Sequence, residues 1–232
     1  SGSQQSLDLA AKALLEPGDV VLVERPGYLG AIQTFSLFEV TFEPVPLEQD
    51  GPDLSALERV LEKHPVKLYY GVPNFQNPTG LTYGTPKRRA LAALLAEHGV
   101  VLLEDDAYGE LRFQGEPEPM ITRVFLPEHG LILGSFSKIT APGLRLGWIV
   151  ADRPMVEQLI TIKQATDLHT SILTQRILER YLDENDLDRH VAAIRERYGA
   201  QADHMLECME RHFPAGVTFT RPMGGMFIWC EL

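Results

Sequence analysis

The stretch SFSKITAPGLRLGW, residues 135–148, begins shortly after the apolar run 131–133. A short apolar run of this kind is typical of a buried parallel strand. Ser135, Ser137 and Lys138 therefore come at the carboxyl end of a predicted strand. In open α/β sheets that end faces the crevice where ligands bind. We expect the amine of Lys138 to face such a crevice.

The same stretch carries a second cation, Arg145, which directly precedes another apolar run, 146–150. Hydroxyl groups and a guanidinium suit a phosphate. An amine beside a phosphate site suggests a lysine that forms a Schiff base with a phosphorylated aldehyde. The alternative for Lys138 is a surface lysine at a strand-to-loop junction, which is the commoner case for any single lysine. The choice therefore depends on the rest of the chain.

Composition narrows the class of protein. The chain has 232 residues, is 44% hydrophobic and 23% charged, and carries a net charge of -11. These values are ordinary for a globular protein, and the negative charge disfavours nucleic acid as a partner. No apolar run approaches the roughly 18 residues of a membrane span. Cys208 and Cys230 lack metal-ligand spacing, so we expect a reducing cytoplasm, no disulfide and no metal site.

The two ends of the sequence predict a piece of a longer protein. The chain has no initiator Met, and residues 1–4 already have the character of a helix start. At the other end the sequence stops just after a predicted strand, 226–230. We therefore expect an internal fragment, and a native protein whose mass is well above 25.9 kDa.

Strands and helices alternate along most of the chain. Besides 131–133, apolar runs predict strands at 20–23, 40–45, 66–72 and 100–103. Apolar residues spaced three and four apart predict helices between them, with Asp53 and Asp152 as N-caps and Thr85–Pro86 as an N-cap and N1 pair. This alternation predicts an α/β large domain with a mostly parallel sheet flanked by helices.

The alternation of strands and helices ends after residue 150. Helices are predicted at about 171–182 and 187–212, followed by two short strands at 217–220 and 226–230. We predict a domain boundary near residue 185. The large domain would occupy 1–185, incomplete at its N-terminus, and 186–232 would be the truncated start of a small α+β domain.

Two features near the N-terminus allow both a functional and a structural interpretation. Ser3 and Gln4 stand where the first helix opens, and a helix N-terminus attracts anions. The alternative there is an ordinary serine N-cap. Tyr28 follows the end of the predicted strand 20–23, where an aromatic ring can stack on a flat ligand. The alternative for Tyr28 is ordinary packing.

Two later strand ends also carry polar groups. Asn77 lies in the loop after strand 66–72, where it either directs its amide into the crevice or serves turn chemistry alone. Three adjacent acids, Glu104 to Asp106, end the strand 100–103 and repel one another, so we expect at least one to have a cationic partner. A carboxylate there could bind magnesium or pair with a cationic ring nitrogen. Tyr108 would lie on the same rim.

In a parallel sheet all of these strand ends meet at one edge. Together they supply a phosphate site, a stacking ring, hydrogen-bond donors, a carboxylate and an amine. Pyridoxal phosphate requires each of these groups.

Four motifs in register also carry a resemblance to a known family. The sequence contains NPTG at 77–80, DDAY at 105–108 (with Asp106 as its second acid), SFSK at 135–138 and GLRLG at 143–147. In this order they resemble the fold-type-I pyridoxal-phosphate aminotransferases of class I/II. Further stretches, GSQQ near the start, PGY at 26–28, KQATDLHT at 163–170 and RPMGGMFIW at 221–229, resemble the 2-aminoadipate (LysN-type) and kynurenine aminotransferase branch.

The resemblance implies a role for each of these residues. Lys138 would form the Schiff base and later move a proton, and Asp105 would pair with the protonated pyridine nitrogen. Asn77 and Tyr108 would hydrogen-bond the phenolic oxygen of the cofactor, so the implied catalytic residues are Lys138, Asp105 and Tyr108. The remaining implied contacts are ring stacking by Tyr28 and phosphate binding by Ser3, Gln4, Ser135 and Arg145.

The resemblance leaves two alternatives open. The family binds the substrate carboxylate with an arginine near its C-terminus and borrows residues from a second subunit of a homodimer. Those regions are absent here, so the amino acid could be 2-aminoadipate, glutamate or an aromatic one, with a 2-oxo acid such as 2-oxoglutarate as acceptor. The alternative to an enzyme is an aminotransferase-like domain of a winged-helix transcriptional regulator.

Overall fold

The computed structural model describes residues 1–127 and 129–232. Its centre is a seven-stranded sheet with the strand order β3-β2-β1-β4-β5-β6-β7. The strands are β1 (Val20–Arg25), β2 (Thr41–Glu48), β3 (Gly51–Pro52), β4 (Val66–Gly71), β5 (Val101–Asp105), β6 (Gly130–Ser135) and β7 (Gly147–Val150). All neighbouring pairs are parallel except β3 against β2 and β7 against β6 at the two edges.

Helices cover both faces of the sheet and continue beyond it. They are α1 (Gly2–Leu14), α2 (Leu29–Ser36), α3 (Leu54–Lys63), α4 (Thr85–Glu97), α5 (Ile121–Val124), α6 (Arg153–Asp167), α7 (Ile172–Glu184) and α8 (Leu187–His212). A second, two-stranded sheet pairs β8 (Thr218–Phe219) with β9 (Cys230–Glu231).

The strands divide the core into two apolar layers, because successive side chains of a strand point to opposite faces. Tyr70 and Leu103 are buried in the layer that includes α1 and α2. Their neighbours Tyr69 and Leu102 are buried in the layer that includes α3 and α4. The result is a three-layer α/β fold, so the predicted fold class is confirmed.

Several predicted boundaries shift in the structure. The run 146–150 does form a strand, β7, but it is antiparallel to β6. The predicted N-cap Thr85 is wrong by one residue: α4 is capped by Gly84, whose carbonyl accepts from the Arg88 N–H at 2.9 Å. Asp53 and Asp152 cap their helices as predicted, and each accepts a backbone N–H.

The predicted strand 226–230 is mostly wrong, since only Cys230 of that run is in a strand. The reason is that the turn before it bonds to another part of the chain. The Gly225 N–H donates to the Leu111 carbonyl and the Phe113 N–H donates to the Met223 carbonyl, both at 3.0 Å. The predicted domain boundary near residue 185 coincides with the short connection between α7 and α8, and the division into two domains stays a prediction.

Parallel pairing brings the carboxyl ends of β1, β4, β5 and β6 to one edge. Tyr70 of β4 is in register with Leu103 of β5, and Asp105 is in register with Leu133 of β6. The first turn of α1 reaches the same edge: a methyl group on Gly147 of β7 would come within 2.6 Å of the Ser3 nitrogen. Loops after four strands and the start of one helix thus converge on a single region.

Candidate active site

A cavity of about 270 Å³ lies where these strand ends converge. Its walls include all nine site residues predicted from the sequence: Ser3, Gln4, Tyr28, Asn77, Asp105, Tyr108, Ser135, Lys138 and Arg145. A larger cavity of about 550 Å³ runs along α8, but its lining is mainly apolar and includes none of these groups. Chemistry rather than size therefore identifies the smaller cavity as the candidate active site.

Asp105 is the buried acid of the cavity. Its side chain ends β5 and is only 5% exposed. The Tyr70 hydroxyl donates to Oδ2 at 2.8 Å, whereas Oδ1 is buried and has no hydrogen-bond partner among the described residues. Burial raises the pKa of Asp105 to about 6, although the Tyr70 bond opposes the shift. A buried acceptor without a donor suits a ligand that brings one.

Lys138 and Tyr108 lie close together in the lining of the cavity. The Lys138 ammonium lies 5.9 Å from the centroid of the Tyr108 ring. Asn77 donates from Nδ2 to the Tyr108 hydroxyl at 3.3 Å. Burial raises the pKa of Tyr108 to about 12, so its hydroxyl stays protonated at neutral pH. Phe227 packs edge-on against Tyr108, with centroids 5.4 Å apart, and supports the ring from behind.

A cationic corner lies beside the first turn of α1. Arg145 donates from Nη1 to the Ser137 hydroxyl at 3.4 Å and from Nη2 to the Ser1 carbonyl at 3.4 Å. The Ser137 N–H donates to Ser135 Oγ at 3.2 Å. A guanidinium, two hydroxyls and the helix start near Ser3 are together suited to a phosphate.

Tyr28 and Gln4 also meet in the lining of the cavity. Tyr28 is half-buried at the start of α2, and its hydroxyl donates to Gln4 Oε1 at 3.3 Å. Gln4 Nε2 in turn donates to the Gly30 carbonyl and to Thr34 Oγ1. The Gln4 side chain is thus engaged with α2, which leaves its backbone N–H for the cavity.

The three acids 104–106 separate into different environments. Glu104 accepts the backbone N–H groups of Ile121 and Thr122 and lies 4.0 Å from Arg88, both side chains being fully buried. The expected cationic partner is therefore Arg88. Asp106 instead accepts from Asn74 at 2.7 Å. Only Asp105 lines the cavity.

The sequence analysis did not identify the buried polar residues around the site. Tyr70 and Glu24 lie within strands, Gln76 lies beside Asn77, and Arg88 lies in α4. A polar side chain inside a buried strand was the available signal for Glu24 and Tyr70. His169 lines a separate cavity against α6.

Two searches of the described part of the chain bear on other kinds of site. Residues 1–127 and 129–232 contain no group of three or more His, Cys, Asp or Glu side chains placed to hold a metal ion. None of the helices in those same residues has the length and apolar character needed to cross a bilayer.

The fold and the cavity agree with what comparison with known proteins finds. The sequence model of the class I and II aminotransferases matches residues 1–232, and the chain therefore belongs to that family. Within it, the chain is 40% identical to aromatic-amino-acid aminotransferase 1 of Thermococcus litoralis over 100% of the chain and 57% of that protein.

Two solved structures extend the comparison. Kynurenine aminotransferase of Pyrococcus horikoshii in complex with PMP is 42% identical, with a TM-score of 0.96 over 100% of this chain and 58% of that one. LysN, the alpha-aminoadipate aminotransferase of Thermus thermophilus, complexed with N-(5'-phosphopyridoxyl)-L-leucine, is 42% identical with a TM-score of 0.95, over 100% and 60% of the two chains. The chain thus spans less than two thirds of these relatives.

Proteins named as HTH-type transcriptional regulators match the chain at 30% to 34% identity, over about half of their own length. These identities are lower than the 40% to 42% found for the three aminotransferases above. The resemblance to class I/II aminotransferases that the motifs predicted is confirmed.

Proposed function

We propose that this chain carries the cofactor site of a pyridoxal-phosphate-dependent aminotransferase. The observation that supports it most strongly is the buried Oδ1 of Asp105, which has no hydrogen-bond partner in the described part of the chain, in a cavity that also holds the amine of Lys138. An acid at one end of a small cavity, an amine on its wall and a cationic corner match the three polar parts of this cofactor.

The residues of the cavity fit the cofactor in charge and in hydrogen bonding. A protonated ring nitrogen would supply the donor that Asp105 Oδ1 lacks, and a cation there would lower the cost of the buried carboxylate. The phosphate would bind at Ser135, Arg145 and the backbone N–H groups of Ser3 and Gln4. Tyr28 would stack on the ring.

When bound, pyridoxal phosphate supplies an aldehyde that condenses with amines and a ring that withdraws electrons from the substrate α-carbon. Lys138 would take the proton from that carbon with Nζ and return it to the cofactor side. Asp105 would keep the ring nitrogen protonated, and Asn77 and Tyr108 would hydrogen-bond the phenolic oxygen. Asp105, Asn77 and Tyr108 would thus hold the cofactor, and Lys138 would supply the base.

The proposed substrates are 2-aminoadipate, glutamate or an aromatic amino acid, with a 2-oxo acid such as 2-oxoglutarate as acceptor. Support comes from the relatives, which include proteins named as aromatic, kynurenine and alpha-aminoadipate aminotransferases. The full-length protein, loaded with pyridoxal phosphate and mixed with each amino acid, should lose the absorbance of the aldehyde form and gain that of the amine form. Added 2-oxoglutarate should reverse the change.

We further propose a homodimer in the cytoplasm. In support, α6 and α7 expose apolar side chains, among them Ile160, Ile172, Leu173 and Ile177. Sedimentation of the full-length protein should give twice the mass of one chain. Nucleic acid is not a proposed partner of this segment, whose net charge is -11.

The second candidate is the aminotransferase-like domain of a transcriptional regulator, favoured by the matches to HTH-type regulators. A regulator would bind the cofactor, yet show no change of absorbance with any of these amino acids. That outcome, with cofactor binding intact, would decide for the regulator and against transamination.

A further inference from the structure

Glu24 is a buried acid that has no part in the proposed chemistry. It is the penultimate residue of β1 and is only 2% exposed. Its Oε1 accepts the Val72 N–H at 2.8 Å and the Tyr83 hydroxyl, and its Oε2 accepts from Gln76 Nε2 at 2.8 Å. Within residues 1–127 and 129–232 it forms no ion pair. Burying a carboxylate without a cation is costly, and the three donors offset only part of that cost. The presence of an acid at this position therefore requires a structural reason.

Gln76 connects Glu24 to two other segments. Its Nε2 also donates to the Pro26 carbonyl at 2.9 Å. Its Oε1 accepts both the N–H and the hydroxyl of Thr79, at 2.8 and 2.6 Å. The Gln76 side chain is fully buried, and all of its hydrogen-bonding groups are used. One amide thus joins β1, the loop that follows β1 and the turn at 76–80.

Both segments held by Gln76 carry site residues. Asn77 directly follows Gln76 and lies within the turn that the Thr79 bonds close. Tyr28 lies two residues after Pro26, whose carbonyl Gln76 holds. The distance between these two cavity walls therefore depends on how the Gln76 amide is oriented.

We propose that Glu24 is a positioning residue for the cofactor site. Its carboxylate orients the Gln76 amide, and Gln76 then holds Asn77 and Tyr28 at the separation that the cofactor ring requires. This inference rests on the proposed function, and it assigns a role to an acid that does not line the cavity. An apolar residue at position 24 could fill the same space, but it would remove the acceptor of the Val72 N–H and one of the two acceptors of Gln76 Nε2.

The first test needs no cofactor. At pH 8, above the Glu24 pKa of about 7, Glu24→Gln puts an amide NH₂ in place of a carboxylate oxygen amid three donors, so at least one donor meets another donor. Hydrogen exchange of the cofactor-free, full-length protein should then become about tenfold faster at the amides of Val72 and Thr79. Exchange in β5 should stay unchanged. Tyr69→Phe is the matched control, because it removes only a hydroxyl 3.3 Å from that of Tyr83.

The second test measures the dissociation constant of pyridoxal phosphate in a double-mutant cycle with Asn77→Ala. Glu24→Gln should weaken binding about tenfold in the parent protein, and about threefold or less when Asn77 is already removed. A residue that only stabilises the fold would weaken binding equally in both backgrounds. Tyr83→Phe, which keeps the aromatic ring, should shift both measurements in the same direction by less, and it carries the test if Glu24→Gln does not fold.

The outcomes separate this inference from the proposed function. If the parent protein binds no pyridoxal phosphate, the proposed function fails, and hydrogen exchange at Val72 and Thr79 still decides the role of Glu24. Unchanged exchange in both Glu24→Gln and Tyr83→Phe would overturn the positioning role. An equal loss of affinity with and without Asn77 would also overturn it.

Discussion

The hydroxyl of Tyr70 donates a hydrogen bond to Asp105 Oδ2 across 2.8 Å, between adjacent strands β4 and β5. Both side chains are buried, and Asp105 Oδ1 has no hydrogen-bond partner among residues 1–127 and 129–232. The bond also counteracts the effect of burial on the pKa of Asp105. Tyr70 therefore favours the carboxylate form and leaves Oδ1 for a ligand donor.

Replacing Tyr70 by Phe should weaken cofactor binding. The change removes one hydrogen bond to a charged group, which typically contributes about 1.5 to 3 kcal/mol, so the dissociation constant should rise about tenfold or more. Titration with pyridoxal phosphate, followed by absorbance, measures it. Tyr69→Phe is the control, since Tyr69 lies on the other face of β4. Equal effects of the two substitutions would contradict the assigned role of Tyr70.

Substitutions of Lys138 and of Asp105 should have different chemical effects. Borohydride reduction of the loaded protein should fix the cofactor to the peptide containing Lys138, in the parent and in Asp105→Asn, but not in Lys138→Ala. Asp105→Asn should instead slow single-turnover transamination by about two to three orders of magnitude, because it removes the charge that stabilises the protonated ring. The exposed Lys67 provides the control variant, Lys67→Ala. A label on Lys12, Lys67 or Lys163 would refute the assignment.

Arg145 should contribute to the binding of ligands that carry a phosphate and not of those that lack one. In Arg145→Ala the affinity for pyridoxal phosphate should fall about tenfold or more, since a charge-assisted contact is lost. Binding of pyridoxal, which has no phosphate, should hardly change. Arg153→Ala is a suitable control, because that arginine is exposed and its recorded side-chain bond is to Glu157. A similar loss for both ligands would show that Arg145 acts on something other than the phosphate.

Arg88 should matter for stability more than any exposed arginine. Its guanidinium donates to the carbonyls of Tyr83 and Pro73 and to Asn74 Oδ1 at 2.6 to 3.0 Å. Arg88→Met would remove the guanidinium donor from these acceptors and the cation beside the buried Glu104, so the free energy of unfolding should fall by about 3 to 5 kcal/mol.

Urea unfolding monitored by circular dichroism measures this change. The adjacent Arg89 is exposed and stacks on Phe125 at 5.4 Å, so Arg89→Met should cost about 1 kcal/mol or less. Equal losses for the two arginines would mean that the buried network around Arg88 contributes little.

Glu24 should make the stability of the cofactor-free protein depend on pH. Burial raises its pKa from 4.5 to about 7, while bonds from Tyr83, Val72 and Gln76 oppose the shift and the charge of Asp105 adds to it. The native state keeps this proton where the unfolded chain has lost it, so the free energy of unfolding falls as pH rises from about 4.5 to about 7. The fall attributable to Glu24 is on the order of 3 kcal/mol.

Unfolding curves between these two pH values test the prediction. Glu24→Gln cannot titrate, so its stability should fall less over the same range, and only the part due to groups such as Asp105 should remain. The exposed Glu62 supplies the control substitution, Glu62→Gln, which should leave the pH dependence of the parent unchanged. If the free energy of unfolding changes with pH equally in Glu24→Gln and in the parent, Glu24 is not the source of the pH dependence.

The sequence by itself predicted most of the strands and helices and nine of the residues that line the cavity. Alternating apolar runs predicted the parallel strands, and the long helix predicted at 187–212 matches α8 (Leu187–His212). Asp105 and Lys138 could be placed at one edge because the ends of parallel strands share an edge. That rule needs only local patterns and the alternation of strands with helices.

Tertiary structure alone decided how the site is supported. Whether Tyr69 or Tyr70 meets Asp105 depends on the register of β4, since a shift of one residue would exchange the two faces. Glu24 accepts hydrogen bonds from donors that lie 48 to 59 residues further along the chain. Local sequence patterns do not predict contacts of such long range. The antiparallel direction of β7 also could not be predicted, because an apolar run is the same in a parallel and in an antiparallel strand. Local sequence specifies which groups stand at strand ends, whereas long-range packing specifies which buried groups hold them in place.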